Sequence, residues 1–131
     1  MEVGTEKAWA LCEKYNLPRI FYVTDMDLDD ASFRQVVEDL TEKYGKAIAP
    51  RDIPIRENEK FVGYVNIIKY AARRFTGVAA REECDMPDYI VPYAEKYREK
   101  LLEAVAAPSD DFMERYFEGD EFSIEELRAA L

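Results

Sequence analysis

The sequence predicts a mixed fold of helices and strands, of the α/β or α+β kind, and three observations support this. Residues 1–45 have the order helix, strand, helix, which is typical of a piece of a parallel α/β sheet. Residues 46–131 hold short apolar segments separated by turn residues, followed by helical patterns. Hydrophobic residues make up 48% of the 131 residues, which is enough for a packed core. We therefore predict an α/β fragment at 1–45 and a small α+β unit at 46–131.

The first helix and the strand after it follow from local patterns. Residues 5–16 place apolar side chains at helical spacing. The helix ends at Leu17, because a residue before proline avoids the helical region. Residues 19–24 then predict a strand that is buried and largely apolar. This strand has no predicted partner within 1–45, although such a strand needs neighbours on its edges, so we expect the chain to be a piece of something longer.

A second helix is predicted at 29–44. Asp29 or Asp30 can cap its first turn, and Gly45 stops it. The apolar stripe of this helix consists of Phe33, Val36, Val37, Leu40 and Tyr44.

The second unit combines antiparallel strands with three helices. The segments "AIAPRDIPIR", "KFVGYVNIIKY", "ARRFTG" and "AAREECD" predict strands, and "RENEK" predicts a hairpin loop. A long helix is predicted at 88–107, with Asp88 as a possible cap. Two shorter helices, at 109–118 and 123–131, are separated by Gly119. Their predicted caps are Ser109 and a capping box formed by Ser123 and Glu126.

Charge and missing residue types limit the possible functions. The net charge is −10 and there is no histidine. Phosphate backbones and anionic membranes repel such a surface, so we expect neither autonomous nucleic-acid binding nor membrane binding. A basic protein partner fits this charge. The absence of histidine excludes Ser-His-Asp catalysis, Cys-His catalysis and the usual zinc sites.

Cysteine usage and hydropathy favour the cytoplasm. Cys12 and Cys84 lie far apart in sequence, which indicates neither a disulfide framework nor a metal cluster. No signal peptide or apolar run of membrane-spanning length is visible.

Carboxylates crowd the stretch "IFYVTDMDLDD", directly after the predicted strand. Asp25, Asp27 and Asp29 match the start of a calcium-binding loop. That loop needs glycine at its sixth position and glutamate at its twelfth, where this chain has Asp30 and Val36. The simplest alternative is that Asp29 and Asp30 start the next helix, which leaves the other two carboxylates unexplained.

A strand that ends in D-x-D also resembles the haloacid dehalogenase family of phosphotransferases. That resemblance makes Asp25 the nucleophile and Asp27 the acid-base group, with magnesium masking their repulsion. The family has threonine or valine two places later, where Asp29 stands here. Its downstream lysine and acidic motifs have no clear counterpart in this chain.

A third resemblance extends from about Val3 to Leu131. The stretch "EVGTEKAWALCEKYNLPRIFYVTDMDLDDASF" resembles the later part of the GTP-binding domain of bacterial elongation factor G, and "IPI…FVGYVNIIKY" resembles strands of that family. The tail is the most specific part, with "YREKLLEAVA" and "MERYFEG". The resemblance implies a partial P-loop GTPase domain at 1–45 and, at 46–131, the subdomain inserted into it. Paralogues of the factor, release factor three and the tetracycline ribosomal protection proteins share these features.

The resemblance also assigns roles to the aspartate cluster. The family's Asn-Lys-x-Asp motif falls on Thr24, Asp25, Met26 and Asp27. Asp27 keeps the carboxylate that reads guanine through two N–H groups. Asp25 reverses the charge of the family lysine, and Thr24 replaces the asparagine that tethers neighbouring backbone. We therefore expect weaker GTP binding in the longer protein than in one with lysine at this position.

Other family motifs have no match in the chain. These are the phosphate-binding loop, the magnesium-holding switch segments and the later Ser-Ala motif. Without a glycine-rich loop and its lysine, nothing cradles the phosphates. The expectation is therefore that GTP or GDP and magnesium bind to the longer protein, which acts on the ribosome, and that this chain alone binds no cofactor or metal and has no catalytic residue.

An acidic row is predicted on the helix at 88–107. Glu95, Glu99 and Glu103 are four residues apart and lie opposite the predicted core face. Charged residues on a helix exterior are usually a solvated face. In elongation factor G the matching helix is where the ribosomal stalk protein touches the inserted subdomain, so the resemblance implies that this row receives basic residues of that protein.

Overall fold

The structure is a computed structural model that describes residues 3–28 and 30–131. Five α-helices and four β-strands occupy this part of the chain, and their mixture confirms the α+β class. In chain order they are α1 (Val3–Lys14), α2 (Phe33–Tyr44), β1 (Asp52–Glu57), β2 (Lys60–Asn66), β3 (Ala71–Gly77), β4 (Ala80–Cys84), α3 (Val91–Ala106), α4 (Asp110–Glu118) and α5 (Ile124–Ala130). A short 3-10 turn, Gly45–Ala47, follows α2.

The four strands form one antiparallel sheet in the order β1-β2-β3-β4. Each strand therefore pairs with its neighbour in sequence, as the alternating segments predict. The predicted hairpin loop is confirmed: Asn58 and Glu59 join β1 to β2 with positive φ angles of 48° and 66°. Two such residues in succession match the right-handed twist of the flanking strands.

The core lies between the sheet and the helices, and α3 supplies its centre. The core face predicted for the helix at 88–107 is confirmed, because Ala94, Tyr97, Leu101 and Val105 of α3 are buried, as is Ile90 directly before it. They belong to the same cluster as apolar residues of the strands and of the C-terminal segment, namely Ile53, Ile55, Val65, Ile67, Ala72, Phe122 and Leu127. Val37 of α2 joins this cluster, so α2 packs on the sheet-containing unit.

Side-chain caps define the short helices as the sequence predicts. The Ser109 hydroxyl accepts from the Phe112 amide at the start of α4. Ser123 and Glu126 form the predicted capping box at α5. Gly119 ends α4 in the left-handed conformation, with φ 81°. Such caps satisfy the orphan amides and carbonyls of helix ends.

Two predicted helix starts are wrong. α2 begins at Phe33, and Ser32 is its N-cap, with its hydroxyl accepting from the Gln35 amide. Asp30 is therefore not the cap, and Asp29 lies outside the described residues. α3 begins at Val91 after Ile90, not after Asp88, because a turn closed by the Ile90 amide and the Pro87 carbonyl precedes it.

The predicted strand at 19–24 is also not formed. Residues 17–25 have no regular secondary structure, and Ile20 and Tyr22 are 92% and 89% exposed rather than buried. The physical reason is the missing partner, since within residues 3–28 and 30–131 the four strands of the sheet pair only with one another. Apolar composition alone does not supply the hydrogen-bonding neighbour that a strand requires.

Aromatic stacking connects this N-terminal region to α2. The Trp9 ring stacks on Tyr44, with ring centroids 3.9 Å apart, and on Phe21 at 5.6 Å. The Arg19 guanidinium lies over the same indole at 3.7 Å. Lys43 of α2 also pairs with Glu6 of α1. No described residue of α1 is buried, so these contacts are made at the surface.

No helix among the described residues has the length and apolar character needed to cross a membrane.

Candidate functional site

The predicted base-reading residues lie on a turn between residues 17–25 and α2. We call residues 24–28 the aspartate loop. Asp27 is exposed, whereas its neighbour Met26 is buried, with 8% of its surface exposed. The Leu28 amide donates to the Asp25 carbonyl at 3.2 Å, which closes the turn. The loop thus buries its apolar residue and presents the Asp27 carboxylate to solvent.

Thr24 and Asp25 contact each other at the start of this loop. The Thr24 hydroxyl donates to Asp25 Oδ2 at 3.3 Å, so its side chain binds a neighbouring carboxylate rather than backbone. Asp25 has a φ of 58°, a left-handed conformation that aspartate tolerates better than most residues. A lysine at this position would therefore carry some backbone strain.

Arg56 of β1 holds the loop, and the sequence gives no local signal for this. One guanidinium nitrogen, Nη1, donates to the carbonyls of Met26 and Ala31, both at 3.1 Å. The other, Nη2, donates to the Leu28 carbonyl at 3.0 Å and to the Glu59 carbonyl at 2.5 Å. The carbonyls on both sides of Asp27 are therefore bound by one side chain.

The surroundings of Arg56 fix its backbone. A register shift between Ile55 and Arg56 marks a β-bulge, which re-aims side chains at a sheet edge. The Tyr89 hydroxyl donates to the Arg56 carbonyl at 2.9 Å. The next residue, Glu57, forms a bidentate pair with Arg74 of β3, at 2.9 and 2.6 Å. The Arg74 hydrogen bond is the main cause that lowers the pKa of Glu57.

The predicted acidic row on α3 is only partly free. Glu95 and Glu99 are exposed. Glu103 instead contacts Lys46, which follows α2, with Lys46 Nζ 2.5 Å from Glu103 Oε1. The hydrogen bond that Lys46 donates to Glu103 is the main cause that raises the pKa of Lys46. Two of the three carboxylates therefore remain without an ion-pair partner among the described residues.

Tyr70 and Arg98 neighbour the free end of this row. Burial is the main cause that raises the pKa of Tyr70, and the charge of Glu95 adds to it. Arg98 of α3 donates to the carbonyls of Ile67 at 2.7 Å and Ile68 at 2.9 Å. These bonds anchor the helix to the turn after β2, so Glu95 and Glu99 stand on a rigid element.

Two further features lie apart from the predicted site residues. Among residues 3–28 and 30–131, no group of three or more histidine, cysteine, aspartate or glutamate side chains could hold a metal ion. A groove of about 640 Å³ separates residues 17–23 from α2 and the segment before β1. Its walls include Leu17, Phe21, Val37 and Ile48, and none of the six predicted site residues lines it.

Comparison with known proteins identifies the fold but no family. No family model matches the sequence. A crystal structure of a protein from Thermus thermophilus is similar to the chain, with a TM-score of 0.84 and 32% sequence identity. The match covers 99% of this chain and 19% of that protein, so the chain spans about one fifth of its length.

Proposed function

We propose that the chain is a segment of a translational GTPase of the elongation factor G type. It carries the guanine-reading loop and the inserted subdomain. The longer protein binds GTP with magnesium and acts in ribosomal translocation in the cytoplasm. The segment alone neither binds GTP tightly nor hydrolyses it, because it has no phosphate-binding loop. The match to about one fifth of a longer solved protein supports the part of the proposal that makes this chain a segment of a longer protein.

The observation that carries the proposal is the presentation of Asp27. Its carboxylate is exposed on a closed turn, and the carbonyls on either side of it are held by Arg56. A carboxylate accepts two hydrogen bonds in one plane, which matches the N1–H and 2-amino groups of guanine. A fixed, exposed acceptor suits a base reader, whereas a helix cap would point at backbone amides.

Nucleotide titration of the longer protein tests this role. The wild type should prefer GTP to xanthosine triphosphate, which has an oxygen in place of the 2-amino group. Asp27→Asn offers that oxygen a donor, so it should reverse the preference. Asp30→Asn, an equal change outside the motif, should leave it unaltered. An unchanged preference in Asp27→Asn would contradict the proposal, as would magnesium-dependent phosphate release by the 131-residue chain itself.

The charge at Asp25 gives a second test with graded variants. Charges a few ångströms apart interact by roughly 1–4 kcal/mol between water-like and surface-like dielectric. Asp25→Asn removes the negative charge while keeping a residue that tolerates a positive φ. Asp25→Asn should tighten GTP binding by the longer protein, and Asp25→Lys should also bind GTP more tightly than the wild type. Equal GTP affinities of the wild type and the two variants would contradict the predicted effect of the Asp25 charge.

The two exposed carboxylates of α3 favour a second, non-enzymatic role as a docking surface for the ribosomal stalk protein. Glu95 and Glu99 are solvent-exposed on a helix anchored by Arg98. Basic residues of a partner would be attracted to these exposed charges, which speeds encounter. The third member of the row, Glu103, contributes less because it already binds Lys46.

An NMR titration with the isolated stalk domain tests this role. Lysine substitution of Glu95, Glu99 and Glu103 together should abolish binding. The control makes the same charge change on α4, by lysine substitution of Asp111, Glu114 and Glu118, and should weaken binding only slightly. Equal effects of the two triple variants would indicate a general charge effect and end the docking hypothesis.

A further inference from the structure

Arg56 makes a set of contacts that sheet formation does not require. Its guanidinium reaches from β1 to three carbonyls around the aspartate loop, those of Met26, Leu28 and Ala31. It also binds the carbonyl of Glu59 in its own hairpin turn. One side chain therefore connects the first β-hairpin with backbone about 30 residues earlier.

The chemistry of these contacts requires an arginine. The guanidinium presents five donors in a planar fork and carries a positive charge. Bonds from a charged donor are stronger than those between neutral groups. A lysine ammonium is a single point with three donors, so it cannot span acceptors spread along two segments.

We propose that Arg56 is a positioning residue for base recognition. By holding the carbonyls of Met26 and Leu28, it sets where the Asp27 carboxylate lies relative to the sheet. We call the bonds from Arg56 to the carbonyls of Met26 and Leu28 the tie. The tie is observed in the structure, whereas its part in base recognition rests on the proposed function. Arg56 does not touch the base; it acts through the backbone of Asp27.

Amide hydrogen exchange of the 131-residue chain tests the tie. The Leu28 and Ala31 amides donate within the turn, to the Asp25 and Leu28 carbonyls. In Arg56→Lys these two amides should exchange about tenfold faster or more, because the loop loses its anchor. Amides of α3, such as those of Leu101 and Val105, should keep their wild-type rates.

Arg34→Lys is the matched control, since Arg34 is an arginine of α2 that pairs with Glu38 at the surface. Its loop rates should equal those of the wild type. Unchanged exchange at Leu28 and Ala31 in Arg56→Lys would overturn the proposal. An equal acceleration in α3 would also overturn it, because Arg56 would then stabilise the whole fold rather than the loop.

The longer protein provides the functional readout. Inosine lacks the 2-amino group of guanosine, so a well-placed Asp27 distinguishes GTP from inosine triphosphate. Arg56→Lys should reduce this preference about tenfold, the effect of losing one good hydrogen bond of a carboxylate. A full preference in Arg56→Lys would overturn the positioning role. A wild type with no preference would contradict the proposed function instead, and the exchange experiment would still decide the tie.

Discussion

Two regions of the molecule contain similar side chains but bury them very differently. In α1 and residues 17–25, large apolar residues such as Leu11 and Ile20 are exposed, at 54% and 92%. In the sheet and α3, Val65 and Leu101 are fully buried. The difference is not composition but partners: the strands of the sheet pair in sequence order, whereas residues 17–25 pair with no strand in the described part of the chain. Burial therefore follows from topology as much as from hydropathy.

The largest expected difference comes from the same substitution in both regions. Leu101→Ala removes a fully buried side chain and should reduce the free energy of unfolding by about 2–5 kcal/mol. Leu11→Ala on α1 removes the same atoms from a site that is 54% exposed, and should cost less than about 1 kcal/mol. Urea unfolding of both variants measures this. Equal losses would show that α1 is packed as tightly as α3.

Alanine substitution of two glycines, one in each region, should give the next largest difference in stability. A Cβ at Gly63 would lie 2.2 Å from the Arg73 carbonyl oxygen on the adjacent strand, so the backbone would have to shift. Gly63→Ala should therefore destabilise the protein by about 1–3 kcal/mol. In α1, a Cβ at Gly4 meets nothing within 4 Å, and Gly4→Ala should leave stability equal or slightly higher. Thermal unfolding distinguishes the two, and destabilisation by Gly4→Ala would break the comparison.

Part of the loss of folding stability at low pH should come from Glu126, in the C-terminal part of the packed region. A hydrogen bond from Arg115, followed by bonds from Ser123, lowers the pKa of Glu126 from its ordinary 4.5 to about 2. A lowered carboxyl pKa contributes stability above the unfolded value that is lost as pH falls, here between about 4.5 and about 2. In Glu126→Gln the melting temperature should fall less than in the wild type as the pH is lowered across that window. Glu125→Gln, on the same helix, should show the wild-type fall. Identical melting-temperature profiles of the two variants would contradict the role given to Glu126.

The smallest effect is expected at the exposed segment. Replacing Ile20 and Tyr22 together by serine should change the free energy of unfolding of this chain by less than about 0.5 kcal/mol, because both are almost fully exposed. The sequence predicts neighbouring strands beside this segment in a longer protein, so there the same double variant should destabilise more than it does in this chain. A large loss in the 131-residue chain would show that the segment is packed against it.

The sequence predicted most of what depends on local periodicity and capping. The core face of α3 follows from its spacing, and Ser109, Ser123 and Gly119 define the short helices through hydrogen bonds within a few residues. The predicted start of α2 was wrong because serine and aspartate are similarly good caps, so residue type does not distinguish Ser32 from Asp30. In the structure the cap is Ser32.

The site was predictable only in part, for physical reasons. The structure shows that Asp27 is exposed, whereas its role as a base reader stays a prediction. The contacts of Arg56 could not be found from sequence, since its acceptors are backbone carbonyls about 30 residues away. Every residue has a backbone carbonyl, so the sequence does not show which carbonyls accept a hydrogen bond from a distant side chain. The same limit applies to Glu103, which lies on the predicted acidic row but pairs with Lys46 across the fold. Contacts between distant segments are the part that periodicity does not reveal.

The neighbour-by-neighbour order of the sheet also has a kinetic consequence. Strands joined by short turns close small loops, and the entropy lost on loop closure rises with loop length. Proteins dominated by such local pairings fold quickly. We therefore expect the hairpins of the sheet, which close only short loops, to form before the contacts of Arg56, which connect segments 25 to 30 residues apart.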